Sequence, residues 1–99
     1  MPQFDVFSLG DGGLVLDCQN DLLDEIGTRF VVPLTPSADT LPRNAYLNPS
    51  FVIDGERVSM ATQLATAIRT TEMRRRIGSL AGERDQILRA FDRLIGAAA

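Results

Sequence analysis

The chain has 99 residues, 44% of them apolar, and a formal net charge of −3 at neutral pH. That is one domain, 1–99, with material for a modest core, which argues against overall disorder and makes oligomerisation a natural way to bury more surface. Every basic residue is Arg and Lys is absent, so the acidic balance speaks against direct nucleic-acid binding and for a protein partner whose carboxylates meet arginine forks.

Phe4-Asp5-Val6-Phe7 is rich in residues that favour strands. Gly10-Asp11-Gly12-Gly13 breaks it, and Leu14–Asp17 resumes an alternating pattern, so the two runs predict a hairpin joined by a long, mobile, glycine-rich loop. From Asn20 to Thr28 the pattern is ambiguous. Leu22, Leu23 and Ile26 are expected to face inward from a helical turn or an irregular bend that ends at Gly27. Thr28–Leu34 predicts a third strand closed by Pro33 and Pro36. Loop follows from Thr35 to Pro49, anchored by Leu41, Tyr46 and Leu47.

Phe51 to Met60 carries the clearest hairpin signal, because Asp54-Gly55 between apolar arms supplies two residues that tolerate positive φ. Leu64–Ile68 predicts one more strand, and Arg74-Arg75-Arg76 reads as a solvated loop. A helix is expected from Gly82 to Ile95: Ile87, Phe91, Leu94 and Ile95 recur on one face of a 3.6-residue period. Gly96 is its expected stop. Strands first and one helix last predict a mainly β domain, a small antiparallel barrel or paired sheets capped by a helix.

Enzymatic motifs are missing. With no His and a single Cys, the usual nucleophile–base pairs and nearly all zinc sites are gone. Cys18 is expected to be buried and inert, in a reducing cytoplasm. The Gly10–Gly13 run is no phosphate loop, since no Lys-Ser/Thr follows it, and Asp17, Asp21, Asp24 and Glu25 lack the spacing of a calcium loop. No apolar run approaches the ~20 residues of a membrane-spanning helix. Met1–Asp5 lacks the basic and apolar regions of a signal peptide.

Gln3-Phe4, Leu16-Asp17-Cys18-Gln19-Asn20-Asp21, Thr28-Arg29 and Val32-Pro33-Leu34 follow one another in an order that resembles the CcdB toxin family. That family is the gyrase-poisoning half of a plasmid-type toxin–antitoxin pair. The resemblance covers nearly the whole chain, firmly from Leu14 to Leu34 and from Phe51 to Met60. It implies an SH3-like barrel of antiparallel strands with one C-terminal helix, assembled as a cytoplasmic homodimer. It also implies binding to the DNA gyrase A subunit rather than catalysis, no cofactor, and neutralisation by a CcdA-like antitoxin whose disordered tail wraps the toxin.

The family's poison function lies at its C-terminus, commonly Phe-Trp-Gly-Ile, whose aromatic stacks on an Arg of gyrase A. One register sets Gly96, Ala97 and Ala98 at the Trp, Gly and Ile positions; a one-residue shift sets Ile95, Gly96 and Ala97 there. Neither supplies Trp, which the chain lacks. For the antitoxin, the resemblance and the charge run point to Leu9, Gly10, Asp11, Gly12 and Gly13 together with Arg74, Arg75 and Arg76. Two rival readings stand beside the gyrase poison. One is a toxin fold that no longer poisons, kept as a decoy or remnant. The other is an endoribonuclease of the related Kid/MazF group, with Arg29 or Arg57 as its candidate arginine.

Overall fold

The structure is a computed structural model in which residues 2–36, 44 and 46–96 are described. Seven strands form one antiparallel sheet curled into a half-barrel: β1 (Asp5–Leu9), β2 (Leu14–Asp17), β3 (Thr28–Pro36), β4 (Ser50–Ile53), β5 (Glu56–Met60), β6 (Thr66–Arg69) and β7 (Met73–Ser79). Helix α1 (Arg84–Ile95) follows, entered through a 3₁₀ turn at Ala81–Glu83. The sheet order is β4-β5-β3-β2-β1-β7, with β6 pairing β3 off this path.

Both predicted hairpins form where their turn residues sit. β1 and β2 pair with Val6 opposite Leu16, and Gly12 takes φ +89°. The connection is a closed turn: the Leu9 amide donates to the Gly13 carbonyl at 2.8 Å and the Gly13 amide to Asp11 Oδ1 at 2.8 Å. Between β4 and β5, Asp54 and Gly55 take φ +51° and +81°, the left-handed pair that a two-residue hairpin requires.

Alternation along the central strands splits their side chains between two faces. Val6, Leu16 and Val32 join the main core beneath α1, which contributes Ile87 and Ala90. Their neighbours Phe7, Val15 and Val31 form a smaller cluster with Met73 on the opposite face. Phe4 starts the first strand at φ +72°, a costly conformation for a bulky residue. It is held there by its amide on the Asp17 carbonyl, 2.6 Å, and by its carbonyl accepting from the Leu80 amide, 2.8 Å.

Four expectations need correction. Leu22, Leu23 and Ile26, on and after the 3₁₀ turn Asp21–Leu23, point outward, and Leu22 is 89% exposed. The strand expected at Leu64–Ile68 begins later, at Thr66, because Thr62–Leu64 is a 3₁₀ turn. Arg74, Arg75 and Arg76 lie on strand β7 and not in a loop. On α1 the core takes Ile87 and Ala90, with Phe91 partly buried, while Leu94 and Ile95 are exposed. Leu41 lies outside the described residues.

Candidate functional site

Three places hold the residues singled out from the sequence. The first is the end of α1. Ile95 is 79% exposed there, and the Gly96 amide closes the helix on the Asp92 carbonyl at 2.7 Å. Gly96 is more than a stop signal. A Cβ on it would collide with the Asp92 carbonyl and carboxylate oxygens, so any side chain at 96 must displace the helix end. Ala97 and Ala98 lie outside the described residues. Phe91 packs its ring against Phe30 of β3 at 5.5 Å between centroids, so the helix is tied to the strand that follows the exposed Leu22–Ile26 bend.

The second place joins the glycine-rich turn to β7. Leu9, Gly10 and Asp11 line a shallow depression with Glu72 and Arg74. The Arg74 guanidinium lies over the turn, its Nε 3.5 Å from where a Cβ on Gly10 would stand. Arg75 faces Ser8 across the pairing, and Arg76 bonds Asp5 through Nε at 2.9 Å. The structure therefore brings the turn and the arginine run together, although some sixty residues separate them in sequence.

β7 was hidden in the sequence by its own irregularity. Two register shifts interrupt its pairing with β1, one between Val6 and Phe7 and one between Ser8 and Leu9. They break the period-2 pattern that would have revealed it. The remaining signal was the apolar pair Met73 and Ile77 flanking the arginines.

The third place is Arg29, which turns out to be structural. It is 1% exposed and binds Asp17 Oδ2 through Nε and Nη2 at 3.0 and 2.7 Å, and Asp24 Oδ1 through Nη1 at 2.7 Å. Burial pushes the Asp17 carboxyl above its ordinary value, against the pull of Arg29. Arg29 is thus spent on two carboxylates and unavailable to a substrate, while Arg57 is an exposed residue of β5. A ribonuclease site built on these two arginines has no geometric support. Cys18 is buried, and its thiol is pushed far up by burial and then by the neighbouring Asp17 charge, which fits an inert side chain. Among the described residues no three His, Cys, Asp or Glu side chains cluster as metal ligands.

The arrangement is a curled antiparallel half-barrel with an exposed helix end, an outward apolar bend and an arginine-lined edge strand. Residues 3–96 match the family model for CcdB protein, and the chain belongs to the CcdB family. Membership of that family supports a toxin of a toxin–antitoxin pair. No curated protein matches the chain significantly in sequence. No helix among the described residues is long and apolar enough to cross a membrane.

Proposed function

We propose that the chain acts as a cytoplasmic homodimer that inhibits or poisons DNA gyrase by binding its A subunit, and that a cognate CcdA-like antitoxin neutralises it. The observation that carries this reading is the end of α1, where Ile95 projects into solvent immediately before a glycine that tolerates no side chain. That steric demand favours the register in which Ile95-Gly96-Ala97 stands for the family's Trp-Gly-Ile, because it sets glycine on glycine. Ile95 is then the anchor offered to gyrase, with Gly96, Ala97 and Ala98 beside it. An isoleucine has apolar area but no cation–π contact, so affinity falls below that of a Trp-bearing relative by about 0.5–2 kcal/mol. The outward apolar residues Leu22, Leu23 and Ile26, close together in the chain, support a dimer that would cover them.

Inhibition of gyrase supercoiling by the purified protein is the test. Ile95→Trp should strengthen inhibition by a factor of roughly 2 to 30, the cation–π contact converted to affinity. Deleting residues 96–99 should weaken it. Gly96→Trp, by contrast, should gain little, because its Cβ displaces the helix end. Equal, full-strength inhibition by the wild type and the deletion overturns a tail-borne mechanism. A silent wild type rescued by Ile95→Trp favours the decoy or remnant, a reading that the missing tryptophan keeps in play.

The antitoxin is assigned to Leu9, Gly10, Asp11, Gly12 and Gly13 with Arg74, Arg75 and Arg76, supported by the way Arg74 lies against the turn. Its acidic tail would pair with these guanidinium groups. Hydrogen exchange at Leu9–Gly13 should slow when the antitoxin binds; exchange already slow in the free protein, and unchanged by binding, sinks this assignment. Sedimentation at micromolar concentration should report a dimer.

A further inference from the structure

Tyr46 does not enter the core: it is 53% exposed, with its ring beneath Arg93 of α1. The turn that carries it is fixed. Asn44 Oδ1 accepts from the amides of Tyr46 and Leu47 at 3.1 and 3.3 Å, and the Asn48 amide donates to the Asn44 carbonyl at 2.7 Å. Asn48 is buried and ties the turn to the end of β5, donating through Nδ2 to the Met60 carbonyl at 2.9 Å and to Gln63 Oε1 at 2.6 Å. The tyrosine ring is therefore held at one place, with the Arg93 guanidinium 5.0 Å from its centre.

Tyr46, Arg89, Asp92 and Arg93 line a pocket of about 220 Å³, smaller than the usual ligand site and suited to a side-chain head group. Arg89 and Arg93 stand about one helical turn apart and are exposed. Neither has an ion pair or a side-chain hydrogen bond among the described residues. Asp92 bonds neither of them; its carboxylate stands over Gly96. Two like charges at that spacing repel, and an anion between them relieves the repulsion. The carbonyl end of a helix favours a cation in its last turn, which accounts for Arg93. It does not call for a second guanidinium on the same face, or for a ring beneath the first. Two guanidinium groups against one carboxylate leave a single positive charge, which one carboxylate balances better than a phosphate dianion does. The net charge of −3 likewise opposes a nucleic acid.

We propose that Tyr46, Arg89 and Arg93 form a docking pocket for one Asp or Glu side chain of an acidic segment in a partner protein. The carboxylate seats between the two guanidinium groups, and the face of the Tyr46 ring keeps Arg93 in place to receive it. This goes beyond the toxin reading. It uses neither Ile95 and the residues after it nor the Leu9–Gly13 turn with Arg74–Arg76.

The probe is a short capped peptide alternating glutamate with serine, compared with glutamine–serine and lysine–serine versions, each titrated into the full-length protein and followed by NMR. The glutamate peptide should move the side-chain Nε–Hε resonances of Arg89 and Arg93 and the ring resonances of Tyr46, and bind less tightly as salt is added. Its affinity, read at Tyr46, should fall at least about tenfold in Arg89→Gln/Arg93→Gln. Arg89→Gln alone removes no side-chain bond within the chain and should cost at least about threefold, so a lowered thermal midpoint in the double variant does not void the test. Read at Arg93, Tyr46→Phe should keep the affinity, while Tyr46→Leu should lose about two- to fivefold, the size of an exposed cation–π contact. Arg74→Gln/Arg75→Gln, on the other arginine surface, should leave the readings at Arg89 and Arg93 unchanged. Equal binding by the glutamine or lysine peptide, no shift at the three residues, or an unchanged affinity in both arginine variants would overturn the proposal. So would displacement by inorganic phosphate at matching affinity, which would mark a small-anion site, or tighter binding of a short RNA than of the glutamate peptide, which would mark a nucleic-acid site.

Discussion

Two Arg–Asp pairs sit in the same sheet, and they differ above all in where the cation lies. Asp17 and Asp5 are both buried, and each takes an arginine at 2.7–2.9 Å. Arg29 is 1% exposed, however, whereas Arg76 is 57% exposed. Burying the cation as well as the anion changes what is at stake. When both charges are inside, removing one leaves the other buried without its counter-charge; when the arginine is outside, solvent takes over part of its role. The chain uses arginine as an internal tie across β2 and β3, and again as a surface charge along β7. A ten-arginine, lysine-free composition therefore says little about function until each arginine is placed.

Urea unfolding of four variants would sharpen or break this contrast. Arg29→Ala should cost about 3–5 kcal/mol, because Asp17 is left buried without its cation. Arg29→Lys should cost less, about 1–3 kcal/mol, since one ammonium cannot fork across Asp17 and Asp24. Arg76→Ala should cost about 1 kcal/mol, with Asp5 reached by water from the side the arginine vacates. Arg75→Ala should lie within about ±0.5 kcal/mol, the usual range for an exposed side chain. If Arg76→Ala proves as damaging as Arg29→Ala, exposure of the cation is not the governing variable. If Arg29→Ala costs under about 1 kcal/mol, the buried tie is not holding β2 to β3.

What could be read without the structure was what local chemistry decides. Gly12 and Asp54-Gly55 announce their turns because few residues adopt positive φ, and Leu14–Leu16 is an apolar run that starts directly after the glycines. Ile87 and Phe91 mark the helix face by their spacing. What could not be read depends on non-local partners. Leu22, Leu23 and Ile26 look like core because apolar residues usually are, yet the space beneath the bend is filled by the Arg29–Asp17–Asp24 tie. Ile95 continues the apolar stripe of α1 but lies beyond the end of the core, so it projects into solvent. β7 needed its partner β1 to be visible at all. The candidate antitoxin surface was legible as two separate segments, and only the fold joins them.

β3 has nine residues and serves three partners. On one side it holds β2; on the other its first half, Thr28–Val31, pairs with β6 and its last residues, Leu34–Pro36, pair with β5. Pro33, which has no amide to donate, falls in the gap between those two partners, where its carbonyl still accepts from Ala61 at 2.9 Å. This arrangement has a kinetic consequence. No hairpin containing β5 or β6 can dock until β3 is in place, and every one of those pairings closes a long stretch of chain before it returns any contact. Folding should therefore pass through a transition state organised around Val31 and Val32. Conservative truncations there, such as Val32→Ala, should slow folding itself, while Ile87→Ala in the last-made helix should chiefly hasten unfolding.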